Sequence, residues 1–105
     1  MILELEDNNL DEIISNYDRI LLDFYAEWCG PCKALYKNLE YALSEHEDEF
    51  ATLVKINVDK FPKIALQYKI KNVPLLIFIK NGEIKNKTIG VITQNAINEE
   101  LRKLL

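Results

Sequence analysis

The chain contains two cysteines, Cys29 and Cys32, in the spacing C-x-x-C. A mostly apolar run over residues 20–26 precedes the pair and is typical of a strand buried on both faces. A helical pattern follows it from about Pro31 to His46, with one apolar stripe facing the core. The sequence therefore predicts a strand-to-helix junction that carries both thiols.

The remaining patterns predict alternating strands and helices. Strands are expected over residues 1–5, 51–58, 75–80 and 83–89, and helices over 10–16 (capped by Asn8 or Asn9), over 63–68 (opened by Pro62) and from Thr93 or Asn95 to 105. Asn81–Gly82, between the last two strands, is the strongest short hairpin pattern. The predicted fold class is α/β in the order β-α-β-α-β-α-β-β-α, with a central mixed sheet of five strands and four helices on both faces.

Size and composition indicate a single globular domain over residues 1–105. The 105 residues are 49% hydrophobic and 29% charged, which excludes a disordered chain. The net charge of −4 argues against nucleic acid as a partner, and no apolar run approaches the roughly 20 residues of a membrane span. The first 14 residues lack the basic and apolar segments of a signal peptide, so none is expected. We therefore expect a cytoplasmic protein with no membrane partner, a monomer whose thiols stay available in reducing surroundings.

The position of the two cysteines predicts different roles for them. Cys29 is expected at or just before the start of the helix, where unpaired N–H groups and the helix dipole favour a thiolate. Cys32 lies one turn further along and is expected to be more shielded. This pattern is typical of a redox pair in which the first thiol attacks and the second resolves.

Other interpretations of the pair are weaker. A structural disulfide closing so short a loop would stabilise the fold by only about 2 kcal/mol. A zinc site would need two further ligands, and only His46, expected on the helix face, is of a favoured type. Covalent haem would need a histidine at Lys33. No metal site and no bound cofactor is expected, since the chain also lacks G-x-G-x-x-G.

Four segments together resemble the thioredoxin family: LDFYAEWCGPCK, KINVDK, VPLLIFIKNGE and IG. The resemblance extends from Leu21 to the final helix and implies the thioredoxin fold. It also implies a thiol–disulfide oxidoreductase that reduces protein disulfides and is recycled by a thioredoxin reductase. Gly30 and Pro31 between the cysteines favour the reducing branch over a disulfide isomerase or oxidase. A non-catalytic scaffold subunit is a further alternative.

The resemblance also implies a role for each residue near the thiols. Cys29 would form a mixed disulfide with the substrate, and Cys32 would resolve it. Asp23, within a buried strand, would have a raised pKa and would take the proton from Cys32. Lys55 would be the partner that moderates the burial of Asp23. The alternative for Asp23 is a solvent-facing position at a strand end.

A cis peptide bond at Val73–Pro74 is a further implication of the resemblance. An open backbone edge there would receive an extended substrate. The residues expected to form this apolar surface, which we call the docking patch, are Trp28, Gly30, Pro31, Val73, Pro74, Gly90 and Val91. A bend at a strand end would explain Gly90 equally well. The aromatic residues expected only to pack or to lie at the surface are Tyr25, Tyr36 and Tyr41.

Two residues depart from the family pattern. Leu75 follows Pro74 where thioredoxins usually have threonine, which bears on substrate range. Lys37 replaces a proline that usually kinks the helix after the cysteines, and it predicts a straighter helix.

Overall fold

The computed structural model describes residues 1–105 and contains the nine predicted elements in the predicted order. They are β1 (Ile2–Glu4), α1 (Leu10–Asn16), β2 (Arg19–Tyr25), α2 (Gly30–Ser44), β3 (Thr52–Asn57), α3 (Pro62–Gln67), β4 (Leu75–Lys80), β5 (Glu83–Ile89) and α4 (Gln94–Arg102). Three helices end earlier than predicted: α2 at Ser44, α3 at Gln67 and α4 at Arg102. Each end tightens into i→i+3 bonds, as in the Leu104 N–H bond to the Leu101 carbonyl at 3.0 Å.

The five strands form one mixed sheet in the order β1-β3-β2-β4-β5. β3 pairs in parallel with both β1 and β2, while β4 pairs antiparallel with β2 and β5. A helix lies between each pair of consecutive strands from β1 to β4, and a tight hairpin joins β4 to the antiparallel β5. Strand β2 therefore lies at the centre of the sheet, and its carboxyl end leads directly to the cysteines.

Each face of the sheet is covered by a pair of helices. On one face, α1 and α3 pack over a core that includes Leu22, Phe24 and Ile77. On the other face, α2 and α4 pack over a core that includes Leu53 and Phe78. Because β2 and β4 contribute to both cores, they show the near-continuous apolar composition predicted for strands buried on both faces.

Local signals in the sequence account for most of the turns and helix starts. Asn81 and Gly82 have φ angles of 49° and 82°, the left-handed pair that a tight hairpin requires. The Thr93 hydroxyl accepts the Ala96 N–H at 3.1 Å and caps α4. Asn9 occupies the N-cap position of α1, but its side chain makes no capping hydrogen bond. None of the helices is long and apolar enough to cross a membrane.

Candidate active site at the start of helix α2

The two cysteines lie at the amino terminus of α2 and are joined by a disulfide bond. Cys29 is the N-cap residue, and its Sγ accepts the Cys32 N–H at 3.2 Å. That N–H is one of the first-turn donors with no partner inside the helix, so the helix start favours negative charge on the Cys29 sulfur. The predicted position of Cys29 is confirmed.

In the oxidised form the two cysteines are almost equally buried, and the greater shielding expected of the Cys32 thiol in the reduced form stays a prediction. Cys29 is 4% exposed and Cys32 is 3% exposed. The disulfide holds the Cys29 sulfur against its partner, and both cysteines pack with Ala26 and Val73. The distinction between the two thiols therefore comes from their positions along the helix start, not from their accessibility in the disulfide form.

A loop from across the sheet closes against the disulfide. The Val73–Pro74 peptide bond is cis, as expected, and the Val73 carbonyl oxygen lies 3.9 Å from the Cys29 Sγ. The Pro74 carbonyl accepts the Gly90 N–H at 2.9 Å. Gly90 has φ +83°, a conformation that favours glycine, so it serves a specific backbone geometry beside Pro74.

The docking patch is only partly exposed. Trp28 is 73% exposed, and Gly30, Pro31 and Val91 are also exposed. Val73 and Gly90 are half-buried, while Pro74 is buried, so this proline contributes backbone and not an exposed ring.

Two residues beside the docking patch were not predicted from the sequence. Asp59 accepts the Trp28 indole N–H at 2.9 Å and orients the ring. Ile89 is 69% exposed and immediately precedes Gly90. The signal available for Ile89 was an isoleucine on a mostly polar strand, directly before Gly90. The Trp28–Asp59 contact joins two loops and left no pattern in the sequence.

Leu75 does not lie at the surface. Its side chain is 8% exposed and belongs to the core beneath α1 and α3. Its backbone pairs with Phe24 on β2 and Ile89 on β5. The departure from threonine therefore changes the core next to Pro74 and not the exposed patch.

Asp23 is a fully buried carboxyl group with no hydrogen-bond partner on either oxygen. Burial raises its pKa from 3.8 to about 7; the Lys55 charge acts to lower this pKa, and the Glu4 charge acts to raise it. The alternative position at a solvent-facing strand end is wrong, because Asp23 lies inside β2 between β3 and β4.

Lys55 is the register neighbour of Asp23, but its ammonium group does not pair with that carboxyl. Lys55 Nζ instead lies 3.7 Å from Glu4 Oε1. It also lies 4.6 Å from the centre of the Tyr25 ring and 4.2 Å from that of the Tyr36 ring. The expected close pairing of Asp23 with Lys55 is therefore wrong. Lys55 acts on Asp23 only through its charge, which lowers the Asp23 pKa without a direct contact.

Tyr25 and Tyr36 do more than pack or lie at the surface, because both rings contact the Lys55 ammonium group. The Tyr25 hydroxyl donates to Glu4 Oε2 at 2.8 Å, and burial raises the pKa of both tyrosines. Tyr41 is exposed, as expected of a surface aromatic. The sequence did not indicate Glu4, because its approach to Lys55 depends on the pairing of β1 with β3.

An open cleft of about 690 Å³ joins these groups behind the disulfide. It is lined by Glu4, Asp23, Tyr25, Ala26, Glu27, Cys32, Lys33, Tyr36, Lys37, Glu40 and Lys55. Cys32 and Asp23 therefore line the same cleft.

His46 lies beyond the end of α2 and not on its face as predicted. Its ring stacks on Phe50 at 4.4 Å, and its Nε2 lies 2.9 Å from Asn98 Oδ1. This places His46 at the opposite end of α2 from Cys29, where it connects the helix terminus to α4.

Comparison with known proteins decides the family. The Thioredoxin family model matches residues 1–103. A thioredoxin from Mycoplasmoides gallisepticum is 38% identical over 93 residues, which are 89% of this chain and 91% of that protein. The chain belongs to the thioredoxin family. A thioredoxin from Chlorobaculum thiosulfatiphilum is 35% identical over 93% of this chain and 91% of its own length.

Solved thioredoxin structures agree with the fold described above. A single-site mutant of the thioredoxin from Halobacterium salinarum superposes with a TM-score of 0.87 at 33% identity, covering 98% of this chain and 89% of its own. Reduced thioredoxin from Schistosoma mansoni superposes with a TM-score of 0.86 at 29% identity, covering 99% and 98%. The chain has the thioredoxin fold, and with its Cys29–Cys32 pair it is a thiol–disulfide oxidoreductase with protein-disulfide reductase activity.

Proposed function

We propose that this chain reduces protein disulfides by a two-step exchange at Cys29 and Cys32. In the first step the Cys29 thiolate attacks one sulfur of the substrate disulfide. The substrate S–S bond breaks, a mixed disulfide forms at Cys29, and the released substrate sulfur takes a proton from water. The observation that carries this assignment is the N-cap position of Cys29, where the first-turn N–H of Cys32 points at its sulfur.

In the second step Cys32 resolves the mixed disulfide. Its thiol gives its proton to the Asp23 carboxylate through the cleft, and the resulting thiolate attacks the Cys29 sulfur. The second substrate sulfur leaves as a thiolate, and the Cys29–Cys32 disulfide remains. Two electrons have then passed to the substrate, which leaves as a dithiol.

Asp23 is suited to accept that proton because its pKa is raised to about 7. When the pKa of a base lies near the working pH, a substantial fraction of the base is ionised, and that fraction still binds a proton strongly enough to accept it from the thiol. The buried carboxyl also argues against a scaffold subunit, which would gain nothing from a desolvated acid that has no partner. The positive charge of Lys55 lowers the pKa of Asp23 and so opposes part of the effect of burial.

The docking patch is proposed to receive the substrate chain beside the disulfide. Trp28, Pro31 and Val91 offer exposed apolar surface, and the Val73–Pro74 backbone borders the Cys29 sulfur. An extended segment could place its disulfide against Cys29 by pairing with this backbone edge.

The electron donor is proposed to be a thioredoxin reductase, as is general for thioredoxins. Residues 1–105 would act as one domain and as a monomer in the cytoplasm, with no metal and no bound cofactor. The bacterial thioredoxins among its relatives support this location.

Trapping of mixed disulfides tests the two cysteine roles. Reduced Cys32→Ser protein, mixed with oxidised insulin, is expected to accumulate a mixed disulfide through Cys29. The matched variant Cys29→Ser is expected to accumulate none. Equal trapping by the two variants would show that the nucleophile and the resolving thiol have been assigned wrongly.

A further inference from the structure

The side chains around Lys55 form a cage that turns its ammonium group away from Asp23. Glu4, on β1, has its Oε1 atom 3.7 Å from Lys55 Nζ. The centres of the Tyr25 and Tyr36 rings lie 4.6 and 4.2 Å from the same Nζ. The Tyr25 hydroxyl donates to the second Glu4 oxygen at 2.8 Å, which fixes the carboxylate of Glu4. An ion pair and two cation–π contacts thus hold the Lys55 ammonium, and a hydrogen bond from Tyr25 holds the carboxylate with which it pairs.

Glu4, Lys55 and Asp23 form one row of side chains across strands β1, β3 and β2, so the cage determines which carboxylate the Lys55 ammonium contacts. Glu4 and Asp23 are both register partners of Lys55, one on each side of β3. The ammonium group can therefore approach the carboxylate on either side of its own strand. It pairs with Glu4, although Glu4 is exposed and Asp23 is fully buried with no hydrogen-bond partner.

We propose that Glu4 is a positioning residue that holds Lys55 in the Tyr25–Tyr36 cage and so leaves Asp23 free to exchange a proton with Cys32. The inference rests on the proposed role of Asp23 and extends it to a residue on the edge strand. If Glu4 is removed, Lys55 can turn to Asp23, and the carboxylate becomes a weaker base.

Several other charged or titratable groups face the same cleft. They are Tyr25 and Glu27 from the end of β2, and Cys32, Lys33, Tyr36, Lys37 and Glu40 from α2. On the β4 side the register neighbour of Asp23 is Leu76, which carries no charge. Of the cleft acids, Glu4 is the one paired with Lys55, so Glu40 provides a matched control.

The test is the titration of Asp23 in the oxidised protein, followed by the NMR chemical shift of its carboxyl carbon. Glu4→Gln is expected to lower the titration midpoint by about one pH unit, because a freed ammonium stabilises the carboxylate. Tyr25→Phe, which keeps the ring and removes the hydrogen bond to Glu4, is expected to shift the midpoint in the same direction by less. Glu40→Gln is expected to leave the midpoint near that of the parent.

A double-mutant cycle separates positioning from simple repulsion between Glu4 and Asp23. In a Lys55→Met background, Glu4→Gln is expected to shift the Asp23 midpoint by much less than in the parent. An equal shift in both backgrounds, or no shift in the parent, would overturn the proposal. The titration needs no redox turnover, so its outcome is independent of whether Asp23 serves Cys32; the trapping and turnover assays decide that separately.

Discussion

Lys55 and Asp23 are register partners on adjacent parallel strands, yet they do not form an ion pair. The Lys55 ammonium lies against Glu4, and both Asp23 oxygens remain buried without a hydrogen-bond partner. A carboxyl group in this position is costly to ionise, which is why its pKa rises to about 7. The site thus holds a carboxyl group that changes its charge near neutral pH.

The burial of Asp23 predicts that folding stability depends on pH. Its pKa is 3.8 ordinarily and about 7 in the folded chain, so between these values the folded chain keeps a proton that the unfolded chain has lost. The free energy of unfolding should therefore fall as pH rises through this window, by up to about 4 kcal/mol. Asp23→Asn should be markedly more stable than the parent at about pH 9 and similar to it at about pH 4.

Urea denaturation of the oxidised protein at the two pH values measures this difference. Asp18→Asn is the matched control, since Asp18 is exposed and its side chain makes no hydrogen bond or ion pair. A parent and an Asp23→Asn variant with the same pH dependence would show that the carboxyl is not desolvated as the structure indicates.

Asp23→Asn is also expected to slow the resolution of the mixed disulfide. The amide keeps the shape of the side chain but cannot accept the Cys32 proton, so the rate should fall by about 10²-fold at neutral pH. The first attack by Cys29 should change less. Single-turnover kinetics with a chromogenic disulfide separate the two steps, and an unchanged decay of the mixed disulfide would remove Asp23 from the mechanism.

Lys55→Met is expected to raise the pKa of Asp23 above its parent value of about 7, because the opposite charge is lost. The ionised fraction of Asp23 at neutral pH then falls, and the resolution rate should reach its plateau at a higher pH. The pH profile of resolution in parent and variant is the measurement. A profile that does not move would indicate that Lys55 has no influence on the proton acceptor.

Leu75→Thr restores the residue usual in the family but should destabilise this chain. Leu75 is buried in the core, so the change removes apolar contacts and buries a hydroxyl, at a cost of about 2 kcal/mol. Ile89→Thr, at an exposed position, should cost much less. Thermal or urea unfolding of both variants gives the comparison, and a Leu75→Thr protein as stable as the parent would contradict the packing described.

Gly90→Ala should destabilise the chain through its backbone alone. A Cβ atom at this position would meet no other atom within 4 Å, but the φ of +83° is unfavourable for alanine by about 1–2 kcal/mol. Gly30→Ala, where the backbone is helical and the Cβ also meets nothing, is the control for stability. Equal unfolding free energies for the two variants would show that the left-handed geometry beside Pro74 is not required.

The order of the elements and the place of the thiols followed from the sequence because their causes are local. Alternating apolar runs and helical stripes predict strands and helices, Asn81–Gly82 supports left-handed turn geometry, and Thr93 supplies its own cap. Cys29 at the start of α2 is likewise a consequence of a few neighbouring residues. The family pattern added Asp23, Lys55 and Pro74 to the site.

The contacts between distant strands were decided only by the tertiary structure. Burial of Asp23 could be expected, but the choice of Lys55 between Asp23 and Glu4 depends on the pairing of β1 with β3 and on where α2 places Tyr36. The near-equal burial of Cys29 and Cys32 depends on the loop at Val73 and on the disulfide itself. Local sequence sets which side chains are available, whereas the energy of a charge or a thiol depends on the neighbours and the solvent that the fold brings to it.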